Sequence, residues 1–347
     1  MEYIGIDVHQ SESQISILTE QGETLERRIR TQRERFAEVL GCRPRARILI
    51  EASTGSEWVA RCFEELGHEV IVADPNFAPM YATRSRRVKT DRRDAQALMD
   101  ACRLGAYHPA HRTSEEQQQV RAELAVREAM VRARVRFIAL IRALLRRDGI
   151  RIGSGSTRAF MRRLAAAGLA EPRLAGITPL LAAMQEINTQ IDAAEAKLTE
   201  HAAHDPVVRR LQTVPGVGPI TALSFVSTLD RAERFHGPHE VEAYLGLVPS
   251  ERSSGEQLRH GPITKLGSSR TRWLLVEAAW GIVRRPNPHT ASLRAWAMRI
   301  AARRGRHVAT VALARRLAGI LFAMWRDGTD YRPQPQAAET SEVAMTA

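Results

Sequence analysis

Apolar positions in the first hundred residues fall in short alternating runs separated by helical spacings. The run Tyr3-Ile4-Gly5-Ile6-Asp7-Val8 meets a polar turn, then Gln14-Ile15-Ser16-Ile17-Leu18 alternates as a half-buried strand does, and a third short strand follows Gly22. Thr31 to Leu40 has helical spacing, Arg47 to Glu51 is a buried strand built on Ile48-Leu49-Ile50, Glu57 to Leu66 is helical, and Glu69 to Ala73 returns to strand. A helix from about Arg92 to Leu104 follows. The order β-β-β-α-β-α-β predicts an α/β unit: a mixed sheet with helices packed on it.

Beyond it the period lengthens. Val120, Leu124, Val131, Val135, Ile138, Ile141 and Leu145 predict one long amphipathic helix over Ser114 to Asp148. After the loop Gly153-Ser154-Gly155-Ser156, Leu181, Met184, Ile187, Ile191, Ala194 and Leu198 predict a second, from Leu180 to Glu200. Two such helices pair as an antiparallel hairpin, a helical coiled-coil arm whose plainest role is that of a spacer or dimerisation element. Small residues and glycines then cluster from Val207 to about Gly267, and helical patterning resumes at Arg272 to Val283 and Thr310 to Trp325. The expected division is 1–110, 111–205, 206–330 and a polar tail over 331–347.

Composition narrows the function. The 347 residues carry 51 Lys+Arg against 39 Asp+Glu, a net charge of +12, and only Lys89, Lys197 and Lys265 are lysine. Arginine's planar fork matches phosphate oxygens two at a time, so nucleic acid is the leading partner, although a GC-rich genome alone would also favour arginine codons. No run approaches the ~20 apolar residues of a membrane helix, and no signal peptide is read, so a cytoplasmic protein without a membrane partner is expected. Cys42, Cys62 and Cys102 lack the spacing of a disulfide framework or zinc knuckle.

Four acids carry the candidate chemistry. Asp7 and Glu51 close strands whose other positions are apolar, which brings both to one edge of the sheet. Asp91 and Asp94 are three apart at a helix start and share a face. Each has a plainer reading alone, Asp91 as a cap and Asp94 as partner of an arginine one turn away. Together they form an oxygen-only ligand set suited to Mg²⁺ or Mn²⁺, the ions that clamp the oxygens of a phosphodiester. Around Asp91 and Asp94 stand Arg84, Arg86, Arg87, Lys89, Arg92 and Arg93, either a solvated face or a holder of phosphates.

Two later motifs extend the site. Val214-Pro215-Gly216-Val217-Gly218-Pro219 has the form of a helix-hairpin-helix turn, in which Gly216 and Gly218 let the backbone approach a phosphate. Ser253-Ser254-Gly255 leads through Arg259 to Lys265 and Gly267, then to a helix carrying Arg270 and Arg272. A serine among cations is a possible nucleophile toward phosphorus, though Ser-Ser-Gly is more often just a loop.

Taken in order, Gly5-Ile6-Asp7, Ile50-Glu51-Ala52 with Thr54-Gly55, Lys89-Thr90-Asp91 with Asp94-Ala95, Pro215-Gly216-Val217-Gly218, Ser254-Gly255 and Lys265 with Gly267 resemble the DEDD transposases of the insertion-sequence one-ten class, including its eleven-eleven subgroup. The resemblance spans residues 1 to 330. It implies a RuvC-like domain with an RNase H fold, a coiled-coil arm and a mostly α C-terminal transposase domain. It further implies recombination of donor and target DNA directed by a structured guide RNA, by a homodimer that assembles to a tetramer. Asp7, Glu51, Asp91 and Asp94 match the metal-binding acids, and Ser254 the serine that links covalently to DNA. The chain departs from the pattern twice: Val8-His9-Gln10 stands where the family often has a lysine, and Ser253 beside Ser254 leaves the nucleophile open by one residue. The rival readings are a metal-dependent nuclease or junction resolvase that uses water, and a non-catalytic DNA-binding protein.

Overall fold

The computed structural model describes residues 1–82, 90–251 and 260–333. The chain divides into two compact units, Met1–Thr113 and Ser114–Ala347. In the first, strands β1 (Glu2–Val8), β2 (Glu12–Leu18) and β3 (Thr24–Arg30) precede helix α1 (Arg33–Leu40), then β4 (Ala46–Glu51), α2 (Ser56–Glu65), β5 (Glu69–Ala73), a 3₁₀ turn (Ala78–Tyr81) and α3 (Asp91–Leu104). The five strands form one sheet in the order β3-β2-β1-β4-β5. β1, β2 and β3 form an antiparallel meander, while β1, β4 and β5 run parallel. This mixed sheet fits an RNase H-like α/β fold.

Strand alternation assigns each face a helix layer. Ile4 and Ile6, fully buried, pack with Ile15, Ile17, Ile48 and Ile50 against Phe36 of α1 and Val59 and Phe63 of α2. On the opposite face Leu49 meets Leu98, Ala101 and Cys102 of α3. α3 lies directly on β1, because a Cβ at Gly5 would come within 2.1 Å of the Met99 amide nitrogen and 2.2 Å of the Ala95 carbonyl oxygen. Only a residue without a side chain permits that approach. Thr90 caps α3, its hydroxyl accepting from the Arg93 amide.

Among the described residues the second unit is helical apart from one ribbon: α4 (Glu115–Arg147), α5 (Thr157–Ala166), α6 (Glu171–His204), α7 (Pro206–Leu211), α8 (Pro219–Leu229), α9 (Pro238–Tyr244), the antiparallel pair β6 (Pro249–Glu251) and β7 (His260–Ile263), α10 (Ser269–Arg284), α11 (Ala291–Arg304) and α12 (Arg306–Asp327). α4 and α6 run antiparallel, with Arg127 paired to Glu195 and Arg134 donating to Asn188 at 3.0 Å. At one end of this pair Val120, Leu124, Leu198 and Ala202 enter the same core as Phe225, Leu275 and Leu317. At the other end Ile141, Leu145, Ile177 and Met184 close a separate small core with Phe160 and Leu164 of α5.

The last carbonyls of α8 accept from arginines. Arg121 of α4 donates from Nε to Ser227 O at 2.6 Å and from Nη2 to Thr228 O at 2.9 Å, and Arg234 donates to Leu229 O at 2.6 Å. The chain then turns through Asp230 at φ 67°, held by the Ser114 hydroxyl at 2.6 Å.

Several elements differ from the sequence expectation. α6 begins at Glu171 rather than Leu180 and passes through Pro179, because Ile177 is 3% exposed in the distal core and Thr178 Oγ1 donates back to Leu174 O at 2.8 Å. Tertiary packing there outweighs the missing proline donor. α5 and α11 are helices the pattern did not announce. By length and a mean hydropathy of 1.5 α12 passes for a membrane-crossing helix, although Arg315 and Arg316 break its apolar run. Leu313, Ala314, Leu317, Leu321 and Phe322 are nonetheless fully buried among other helices, which is the behaviour of a core helix.

Candidate active site

The parallel pairing of β1 with β4 aligns Ile6 with Ile50, so Asp7 and Glu51 follow side by side at the C-terminal ends of neighbouring strands. Asp7 and Gly5 point to the same face by strand alternation. The close seating of α3 on Gly5 therefore delivers its first turn, with Asp91 and buried Asp94, to Asp7. Thr90 is the cap, so Asp91 is not needed for that role.

The electrostatics of Asp7 register this crowding. Burial chiefly pushes its carboxyl above the ordinary value; His9 pulls it down, and the charges of Asp94, Asp91 and Glu51 raise it further. His9 Nε2 lies 3.2 Å from Asp7 Oδ2 and 3.5 Å from Asp91 Oδ1. Glu51 accepts a 2.6 Å hydrogen bond from the Tyr81 hydroxyl, which fixes its carboxylate from the 3₁₀ turn.

Ligand atoms of Asp7, His9 and Asp91 lie within 4.8 Å of one another, with Glu51 and Asp94 near enough to act on the Asp7 charge. The close set of Asp7, His9 and Asp91 could hold a divalent cation with Glu51 and Asp94 nearby, and the cation would offset the carboxylate charges that add to the effect of burial on Asp7. His9 and Tyr81 were missed by sequence reasoning. His9 stood out only as a departure from a family pattern, and nothing in the spacing of Tyr81 tied it to Glu51.

The other candidates are dispersed. Arg92 and Arg93 lie in the first turn of α3, Arg92 Nε standing 3.8 Å from Glu26. Arg84, Arg86, Arg87 and Lys89 lie outside the described residues, as do Ser253, Ser254 and Arg259 between β6 and β7, and the tail beyond residue 333. Gly216 takes a left-handed φ of 99° in the turn between α7 and α8, and Gly218 is the N-cap of α8. Lys265 is exposed at φ 59°. Arg270 is engaged inside the fold, donating to Glu128 at 2.5 Å and to Arg121 O at 3.3 Å. Arg272 donates to Leu245 O at 2.9 Å and Leu266 O at 2.6 Å.

An RNase H-like sheet with carboxylates at the ends of neighbouring parallel strands is an arrangement suited to metal-assisted cleavage of a polynucleotide. Residues 4–148 match the family model of the DEDD transposases of IS110, and residues 208–294 match the model described as transposase IS116/IS110/IS902 family. The chain is 32% identical over 296 residues to a probable family 20 transposase of Pseudomonas aeruginosa, covering 84% of this chain and 87% of that protein. It is 29% identical to the transposase for insertion sequence element IS1328 of Yersinia enterocolitica, over 94% and 97% of the two chains. It is 28% identical to the transposase for insertion sequence element IS1111A of Coxiella burnetii, over 96% and 92%. The chain belongs to the IS110/IS116/IS902 family of insertion-sequence transposases and is a DNA-cleaving enzyme of transposition.

Proposed function

We propose that this transposase is a DNA recombinase that cuts and rejoins strands through a serine, with its acid cluster holding Mg²⁺ or Mn²⁺ on the scissile phosphate. The observation that carries the reading is the convergence of Asp7, Glu51, Asp91 and Asp94 at one sheet edge. Asp7, Glu51, Asp91 and Asp94 would hold the metal with His9 beside them, and Tyr81 orients Glu51. When bound, a divalent ion supplies Lewis-acid polarisation of a phosphoryl oxygen and offsets charge in the transition state.

In the proposed step Ser254 Oγ forms a bond to phosphorus while the bond from phosphorus to a neighbouring deoxyribose oxygen breaks. The serine proton ends on the departing oxygen, which leaves as a hydroxyl. Religation reverses the exchange, so phosphodiester energy is conserved and no nucleotide cofactor is consumed. The glycine turn at Gly216 and Gly218, together with Lys265 and Arg259, would approach DNA phosphates. A structured guide RNA pairing with donor and target, and a dimer that assembles to a tetramer, complete the proposal; a net charge of +12 suits two nucleic acids held at once.

Labelled, nicked donor DNA run on denaturing gels after incubation with Mg²⁺ tests the nucleophile. Wild type is expected to leave a protein–DNA adduct, and Ser254→Ala none. An adduct that survives Ser254→Ala moves the role elsewhere, Ser253 first. Free ends without adduct in the wild type would mean that water attacks, as in a nuclease or resolvase.

A further inference from the structure

The distal end of the α4–α6 pair is charged unlike its base. At the base, cations are matched by acids: Arg127 with Glu195, Lys197 with Glu123 at 2.7 Å, and Arg270 with Glu128 at 2.5 Å. From residue 142 to 173 the chain has eight arginines against two acids, Asp148 and Glu171, a net charge of +6 and half that of the whole chain. Asp148 is already taken by Arg173 at 3.0 Å.

Three of these arginines converge. Arg142, Arg146 and Arg151 line an open cleft of about 470 Å³ with Ile150, Ile152 and Gly153, and no acid lines it. Arg142 is fixed, its guanidinium 5.2 Å from the centroid of the Phe160 ring and its Nη2 donating to Gly153 O at 2.8 Å. Its Nε is buried without an acceptor among the described residues. Arg146 and Arg151 are exposed, and neither has an acidic partner among the described residues. Mere solvation of a helix end asks only for charge of mixed sign, whereas like charges gathered around one cleft repel one another unless an anion joins them.

We infer that this cleft is a phosphate-binding site for the phosphodiester backbone of nucleic acid, so that the helical pair is a nucleic-acid-holding arm and not only a spacer. The inference rests on the reading that the chain handles nucleic acid, and is independent of which residue attacks DNA. Arg142 is the preorganised base of the site, and Arg146 and Arg151 are the forks that close on a phosphate.

The test is fluorescence anisotropy of the full chain with labelled duplex DNA and with a labelled RNA stem-loop, across a salt series. Arg146→Gln/Arg151→Gln is expected to weaken binding roughly tenfold at about 0.1 M salt and to reduce the salt slope by about 2, for the nucleic acid the arm holds. Loss with the RNA alone or the DNA alone identifies which one that is. Arg35→Gln/Arg45→Gln removes the same charge from exposed positions of the first unit and is expected to stay within about twofold of wild type. Arg146→Lys/Arg151→Lys keeps the charge and recovers most of the affinity, which separates a binding loss from a folding loss. Wild-type affinity and slope for both probes in the Gln variant overturn the inference. So does loss of self-association in sedimentation with binding intact, which would make the cleft an interface between copies. A wild-type chain that binds neither probe overturns the nucleic-acid reading as well.

Discussion

The approach of α3 to β1 at Gly5 is the contact on which the acid cluster depends, and Gly5→Ala tests it directly. The added Cβ would sit 2.1 Å from the Met99 nitrogen and 2.2 Å from the Ala95 oxygen, both backbone atoms of a continuous helix that no rotamer change can clear. To restore ordinary contact near 3.4 Å the helix must retreat by about 1.3 Å, carrying Asp94 away from Asp7. Overpacking against rigid backbone costs about 3 kcal/mol, a fall of at least roughly 10 °C in the melting of a unit this size. Mn²⁺ affinity, read by electron paramagnetic resonance, is expected to drop about tenfold or more as the carboxylates separate. Gly22→Ala is the control: Gly22 has φ 86° with nothing within 4 Å of the added carbon, so only backbone strain of about 1–2 kcal/mol is incurred. Its Mn²⁺ affinity is expected to match wild type. A Gly5→Ala protein that melts within about 2 °C of wild type and binds Mn²⁺ normally would refute the argument that this close approach places the cluster.

Asp7 should limit the stability of the metal-free protein. Its raised carboxyl value means that the folded state prefers the protonated acid, so its contribution is present below the ordinary value and lost as pH rises through the raised one. In EDTA, Asp7→Asn is therefore expected to melt above wild type near about pH 7, with the gap closing toward about pH 4; equal melting throughout would remove the charge crowding from the account. Arg121→Ala, which strips two donors from the end of α8, should cost about 3 kcal/mol in urea unfolding. A loss under about 1 kcal/mol would mean that water replaces the guanidinium at Ser227 and Thr228 without penalty.

Much of this was legible in the linear pattern. Alternation at Ile15-Ser16-Ile17 and the block Ile48-Leu49-Ile50 reported strands because the sheet buries those positions regardless of what lies beyond it. The acids at the strand ends were legible for the same reason, since a carboxylate closing an apolar strand has no packing role. The start of α6 at Glu171 was not legible because the apolar spacing reads only local periodicity, while Ile177 and Met184 are held by a core made with α5. Arg270 and Arg272 illustrate the converse: arginine reads alike whether it faces solvent or is held by Glu128 and the carbonyls of Leu245 and Leu266.

The sequence by itself determined the α/β order of the first unit, the long helices of the second, the basic character and the four acids, because periodicity and charge belong to the chain. Tertiary structure decided which side chains share a site. His9 joined Asp7 and Asp91, Tyr81 reached Glu51, and Arg142, Arg146 and Arg151 gathered at one cleft. Those meetings depend on distances of a few ångströms between segments separated along the chain, set by close packing such as that of α3 on Gly5, and no local pattern encodes them.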